Sequence, residues 1–162
     1  MKSSLLLVIS LALIAGLGGC ASDVKPADNS CSDQNDIMEA VFRHQFANNA
    51  SGIQDRAQVF FLSLAEDADP DPGFMARFAS NTVPVKPVSQ SRLRPNGQVE
   101  DASTGDTGLI FRIDRIRMKS EREAQVHGGY YEANVSASGN VYALECENGQ
   151  WKVGEQAMKW IS

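Results

Sequence analysis

The feature that most constrains this chain's fold is the dipeptide Asn148-Gly149, set between "VYALECE" and "QWKV". A two-residue type I′ turn needs positive φ at both central positions, which Asn and Gly tolerate best, and its twist matches that of the strands it joins. Fixing the turn also fixes the register. Cys146 then faces Trp151, Leu144 faces Val153, and Glu145 faces Lys152. The first two pairs share an apolar face, and the third sets opposite charges on the other. Cys146 therefore points into the core.

From Leu109 onward the sequence reads as consecutive antiparallel strands, and three of them change apolar phase. Leu109, Phe111 and Ile113 alternate in odd positions while Ile116 and Met118 continue in even ones, which predicts a bulge near Asp114-Arg115. Ala124 and Val126 give way to Tyr131 and Ala133 across Gly128-Gly129. Trp151 and Val153 give way to Met158 and Trp160 after Gly154. Bulges and glycines bend strands, so the pattern predicts a curved sheet wrapped around helices.

Ahead of the sheet, Asp36–Ala47 has helical spacing. Met38, Phe42 and Phe46 recur every fourth residue beside Ile37 and Val41, and Asp36 with Glu39 forms a capping-box-like start. His44 falls near the rim of that apolar face. Ala57–Leu64, "AQVFFLSL", is apolar on both alternating faces and reads as a buried strand. Asp67, Asp69 and Asp71 resemble the start of a calcium loop, but Pro72 stands where such a loop needs glycine and Phe78 where it needs glutamate. A short helix is the better account, with Asp71 as cap and Pro72 at the first position. The stretch of about 86–108 is polar and without periodicity apart from a turn at Pro95-Asn96-Gly97. It reads as a long loop whose deletion from Ser89 to Thr107 leaves folding nearly intact, since few apolar residues are lost.

The order of a long helix, a strand, a short helix and a bent antiparallel sheet resembles the rolls of nuclear-transport-factor-like and cystatin-like proteins. The implied fold class is α+β, with an N-terminal helix and a short second helix packed on a strongly bent antiparallel β-sheet. Such folds host enzymes, carriers and partner-binding modules alike, so the resemblance leaves activity open.

The first residues carry an address. Lys2 precedes the apolar run Leu5–Ile14, which is of signal-peptide length and too short to span a ~30 Å hydrocarbon core comfortably. It ends in Leu17-Gly18-Gly19-Cys20, which resembles the bacterial lipobox. The resemblance implies a signal peptide over 1–19, a diacylglyceryl group on the Cys20 sulfur, and acylation (palmitate or a similar chain) of the new amine. Two or three chains hold a protein stably at a membrane. Ala21 resembles the sorting pattern for the outer membrane in hosts with two membranes, so the expected location is the cell envelope. Residues 20–32 form the lipidated cysteine and a tether reaching at most ~40 Å, and 33–162 form a single α+β domain. Of the three cysteines, Cys31 and Cys146 remain, and an even pair in an oxidising compartment predicts a disulfide.

A net charge of −5 argues against nucleic acid as a partner. No metal-ligand spacing and no cofactor motif is present, so no cofactor is expected. For an enzyme, a hydrolase or isomerase working in a cavity inside the roll, the acid–base candidates are His127, Asp114 and His44, with Tyr130 or Tyr131 as hydroxyl donors. Neither histidine sits in a catalytic motif. The sequence therefore favours a non-catalytic binding or accessory module, or a small-ligand carrier, with an envelope protein or a small ligand as partner. An exposed Tyr130, with Arg92, Arg94, Arg115 and Arg117, supplies residue types that contact partners.

Overall fold

Helix α1 spans Gln34–Ala47 in a computed structural model that describes residues 31–134 and 136–162. The expected signal peptide, Cys20 and the tether up to residue 30 lie outside the described residues. The helix cap is Asp33 rather than Asp36, because the Asp33 carboxylate accepts the Asn35 amide at 2.8 Å. Asp36 and Glu39 do other work. With Asp33 they clasp the Arg77 guanidinium, at 2.6 Å for Asp36, 2.9 Å for Glu39 and 3.1 Å for Asp33. Arg77 follows α2, Pro72–Ala76, which starts as expected: Asp71 accepts the Phe74 amide at 3.0 Å and Pro72 opens the first turn. The clasp thus ties one helix to the other through a fork of donors that suits several carboxylates.

The strands are β1 Val59–Leu64, β2 Val85–Pro87, β3 Ser91–Leu93, β4 Val99–Asp101, β5 Gly108–Met118, β6 Glu123–Ala133, β7 Ser136–Glu147 and β8 Gln150–Ile161. Six of them form one sheet in the order β2-β1-β5-β6-β7-β8, and β3 pairs with β4 in a separate hairpin. Strands β5 to β8 are antiparallel neighbours in chain order. Strand β1, however, runs parallel to both β2 and β5. The sheet is therefore mixed, not antiparallel throughout. The cause is the connection: the chain leaves β1, passes through α2 and returns by a crossover, which lays the next strand down parallel.

The β7–β8 hairpin has the register set by its turn, pairing Cys146 with Trp151, Glu145 with Lys152 and Leu144 with Val153. Asn148 and Gly149 take φ of 51° and 77°, as a type I′ turn requires. The β5 bulge falls at Asp114, between Ile113 and Arg115. A second shift skips Gly154 on β8, where Leu144 pairs with Val153 and Ala143 with Glu155.

The expected phase change at Gly128-Gly129 does not occur. Ala124, Val126 and Tyr130 all stay on the helix side of β6, and the irregularity lies later, between Tyr131 and Ala133. Tyr130 is accordingly buried, at 4% exposure, and not the exposed contact residue that the alternation suggested. The two glycines answer a different need. A Cβ on Gly128 would lie 2.2 Å from the Arg112 carbonyl oxygen, and one on Gly129 would lie 1.8 Å from that of Ser138.

Two cores follow from the sheet's two faces. Both helices pack on one face, where Ile37, Val41 and Phe42 meet Phe74, Phe78, Leu62, Phe111 and Leu144. Phe46 joins β1 to β5 there, 4.8 Å from the Phe60 ring and 5.2 Å from the Phe111 ring. On the other face, Val59 and Phe61 pack with Val99, Ile110 and Tyr131. This explains why β1 is apolar on both sides: the β3–β4 hairpin covers it. The segment that reads as a featureless polar loop is thus a stitched cover. Arg92 and Arg94 bond to Glu100, and Lys86 to Asp101 at 2.5 Å, with both carboxylates almost wholly buried. Cys31 and Cys146 form a disulfide with Cα atoms 6.2 Å apart, fastening the segment that leads into α1 to the sheet.

Candidate functional site

The polar residues of the helix-side core gather at one place, where α1 ends against β6, β7 and β8. Gln45 sits on the apolar stripe of α1, one turn beyond Val41, and is 1% exposed. Its Nε2 donates to the Arg112 carbonyl at 3.2 Å, the Gly129 carbonyl at 3.4 Å and the Tyr142 hydroxyl at 3.3 Å. Its Oε1 is buried with no hydrogen-bond partner among the described residues. Buried polar atoms are almost always partnered, and an orphan carries the full desolvation penalty of its group.

Beside Gln45 a directed chain of hydrogen bonds crosses β8 and β7. His44 Nε2 donates to Gln156 Oε1 at 2.8 Å, Gln156 Nε2 to Asn140 Oδ1 at 3.3 Å, and Asn140 Nδ2 to Ser138 Oγ at 2.9 Å. Ser138 and Asn140 are themselves buried. Burial pushes the Tyr142 phenol above its ordinary range, with the hydrogen bonds from Gln45 and Asn140 pulling partly back. The hydroxyl therefore stays protonated at neutral pH.

Gln45, Ser138, Asn140, Tyr142 and Gln156 line a pocket of about 200 Å³, together with Asn48, Asn49 and Ala50 at its rim and with Gly129, Tyr130 and the half-exposed Met158. The rim is held by the helix end. Asn48 Nδ2 donates to the His44 carbonyl at 3.0 Å and Asn49 Nδ2 to that of Gln45 at 2.9 Å, satisfying carbonyls that a helix C-terminus leaves open. Glu132 fastens the turn that follows, accepting from Ser51 Oγ at 2.7 Å and the Gly52 amide at 3.1 Å. Among the described residues, no charged side chain lines the pocket.

The catalytic candidates lie elsewhere. His127 alternates with Val126 and so faces away from the helices, beside Arg115, whose Nη2 donates to His127 Nε2 at 3.2 Å. Burial, then the Arg115 charge, lowers the His127 pKa. Asp114 stands exposed on the β5 bulge, 3.3 Å from Arg112. Neither His127 nor Asp114 lines the pocket. His44 does reach its wall, but through Gln156 and edge-on to Tyr142, with ring centroids 5.7 Å apart. Tyr131 belongs to the second core, and its hydroxyl lies 3.2 Å from the Gly97 carbonyl. A larger groove of about 610 Å³ runs past the disulfide along Ile37, Met118 and Arg122.

Sequence reading passed over Gln45, Ser138, Asn140 and Gln156. The signals were present. Gln45 is a polar residue at a core position of α1, and Ser138 and Asn140 stand in phase with Tyr142, Leu144 and Cys146 on the inner face of β7.

The fold and pocket define an α+β domain with an uncharged, amide-rich cavity between its long helix and its sheet. No family model, no curated protein and no solved structure matches the chain.

Proposed function

We propose that this chain is a bacterial lipoprotein of the cell envelope, anchored through lipid on Cys20, whose α+β domain binds a partner or ligand and catalyses nothing. The anchor rests on the lipobox-like Leu17-Gly18-Gly19-Cys20 and the basic and apolar segments before it. Among the described residues no helix is long and apolar enough to cross a membrane. In a host with two membranes, Ala21 directs the protein to the outer one.

The observation that carries the non-catalytic reading is a separation. His127 and Asp114 stand off the pocket, whose lining is amides and hydroxyls suited to positioning a ligand, and His44 meets that lining only through Gln156 and the Tyr142 ring edge. The element order, with bulges at Asp114 and Gly154, supports comparison with nuclear-transport-factor-like and cystatin-like rolls, in which a bent sheet encloses such a space. A tether of about a dozen residues raises the domain's effective concentration for anything at the same membrane.

Two measurements test this reading. Cys20→Ala should move the protein from the membrane fraction to the soluble one, and membrane retention of the variant would remove the anchor. Crosslinking of the lipidated protein in its native membrane should capture a reproducible partner. A turnover lost in His127→Ala or Asp114→Ala would instead show an active site on the outer face.

The second reading, a small-ligand carrier, is favoured by one specific feature: a cavity of about 200 Å³ between α1 and the sheet, lined by amides and hydroxyls.

A further inference from the structure

We infer that the free edge of β8 pairs with the same edge of a second copy of this chain, antiparallel about a two-fold axis at Ala157. The inference goes beyond the anchored-module reading and does not rest on it, since neither the anchor nor the pocket takes part. The sheet ends at β8, a strand of 12 residues with no neighbour beyond it among the described residues. Such an edge presents unpaired amides and carbonyls, a template for another strand. From Gly154 onward every residue of it is exposed. Of the five large apolar side chains left exposed among the described residues, three sit near its end: Met158 at 49%, Trp160 at 47% and Ile161 at 56%. The opposite edge, β2, has only 3 residues.

Charge names both the occupant and the register. After Gly154 the strand carries two charges, Glu155 and Lys159, both exposed. In a two-fold pairing, residue i faces residue j of the other copy and j faces i. Directly opposed side chains share a face of the sheet. The axis therefore passes through a residue of Glu155–Met158, the stretch that pairs regularly with β7 between the irregularities at Gly154 and Lys159. An axis at Glu155 sets two carboxylates against each other. One at Gln156 puts Glu155 opposite Ala157, and one at Met158 puts it opposite Ile161. The axis at Ala157 sets Glu155 opposite the partner's Lys159, twice in each dimer. The two charges also lie on one face. Glu155 pairs with Ala143, which alternates away from the helix-side Tyr142 and Leu144, and the Lys159 charge reaches His127 on that same outer side. On the helix side this register brings Val153 opposite the partner's Ile161, covering an exposed apolar residue with another apolar one. Opposite charges directly across a strand pair attract and like charges repel, so the edge is complementary to itself.

The test is made in intact cells that produce the full chain. In Ala157→Cys, at an exposed position, oxidation with copper phenanthroline should link two copies. Opposed residues of antiparallel strands have Cα atoms ~4.5–5.5 Å apart, within disulfide reach. Leu93→Cys, exposed on the β3–β4 hairpin, should stay monomeric. On the Ala157→Cys background, Glu155→Lys or Lys159→Glu alone should cut the crosslink at least about tenfold, since each sets like charges opposite one another twice. Cells that make the two charge variants together should regain it, in dimers that hold one of each. Non-reducing gels with a different tag on each variant read both results. Should the added thiol disturb the Cys31–Cys146 bridge, co-purification of differently tagged chains carrying only the charge changes gives the same comparison. Crosslinking at position 157 no stronger than at 93 overturns the pairing. A crosslink that neither charge reversal weakens overturns the register and with it the proposal. A product that holds a different protein overturns the second copy as the occupant. None of these results touches the anchor, which Cys20→Ala tests by itself.

Discussion

Cys31 and Cys146 are 115 residues apart in the chain and joined by a disulfide, with 6.2 Å between their Cα atoms. Cys146 is flanked by a second tie, since Arg122 Nη2 donates to its carbonyl at 2.6 Å. The bridge closes nearly the whole domain into one loop, from the segment before α1 to the β7–β8 hairpin.

Breaking that loop should be costly. Replacing both cysteines with Ser is expected to lower stability by about 2–5 kcal/mol, most of it through a less restricted unfolded chain. Urea denaturation of oxidised, reduced and double-Ser protein measures it, and non-reducing peptide mapping should recover the two cysteine peptides joined. Equal midpoints for all three forms would mean that the bridge closes no folding-relevant loop.

Gly129→Ala should be among the most damaging single changes in the sheet. A Cβ there would sit 1.8 Å from the Ser138 carbonyl oxygen, which is backbone and cannot swing aside. The β6–β7 ladder would have to part where it also supports the pocket. A loss of more than about 2 kcal/mol is expected, as for severe overpacking, against little change for Gly154→Ala, whose Cβ would meet nothing within 4 Å. Thermal melts of the two variants side by side provide the comparison.

Acid should unfold the domain through its ion-paired carboxylates. Hydrogen bonds from Lys86 and Ser103 hold Asp101 well below the usual carboxylate range, and those from Arg94 and Arg92 hold Glu100 below it. For Glu39, burial pushes the pKa up, but Arg77 and Arg43 outweigh it and the net shift is downward. A folded-state pKa below the unfolded value of about 4 gives stability that is present above that value and lost as pH falls through the folded one. Stability should thus begin to decline as pH falls below about 6.5, where the lowered His127 pKa makes protonation favour the unfolded chain, and fall steeply below about 4 as the paired carboxylates protonate. In Asp101→Asn the acid-dependent part of the loss should shrink while stability at pH 7 drops. Urea midpoints from pH 2 to 7 test both signs.

The legible parts of the fold were those fixed by local rules. Asn148-Gly149 set a register that holds pair by pair because a two-residue turn leaves no slack. The apolar phase change across Asp114 located a bulge, since an extra residue must flip the alternation. What failed depended on partners far away in sequence. Asp36 has the spacing of a cap, but Arg77 claims it from 41 residues downstream, and Asp33 caps instead. Tyr130 and Tyr131 looked like a phase change because both faces of β6 are apolar at that point, each over its own core. The parallel placement of β1 against β5 has no local signature at all. The pocket was half legible: Gln45 breaks the apolar stripe of its helix, yet only the folded sheet shows that its Oε1 is left without a partner.

The β3–β4 hairpin gives the sharpest contrast between sequence and structure, and a final prediction. Between residues 86 and 108 the composition is polar, and removing Ser89–Thr107 looked harmless. Yet Val99 is fully buried, and with Val59, Phe61, Ile110 and Tyr131 it forms the core on the face of the sheet away from the helices. Tyr131 also reaches the Gly97 carbonyl at 3.2 Å. Without the hairpin, Val59 and Phe61 on an inner strand would face water, and the ion pair of partly exposed Lys86 with buried Asp101 would vanish. The deletion should therefore destabilise the domain strongly and promote aggregation, while Val99→Ala alone should cost roughly 1–3 kcal/mol by transfer and cavity terms. Leu93→Ala, on the same hairpin but 55% exposed, should change stability by less than about 0.5 kcal/mol. Chemical denaturation of the three variants separates a structural cover from a dispensable loop: a deletion as stable as the parent would show that the second core contributes nothing, and a Val99 variant no weaker than the Leu93 one would point the same way.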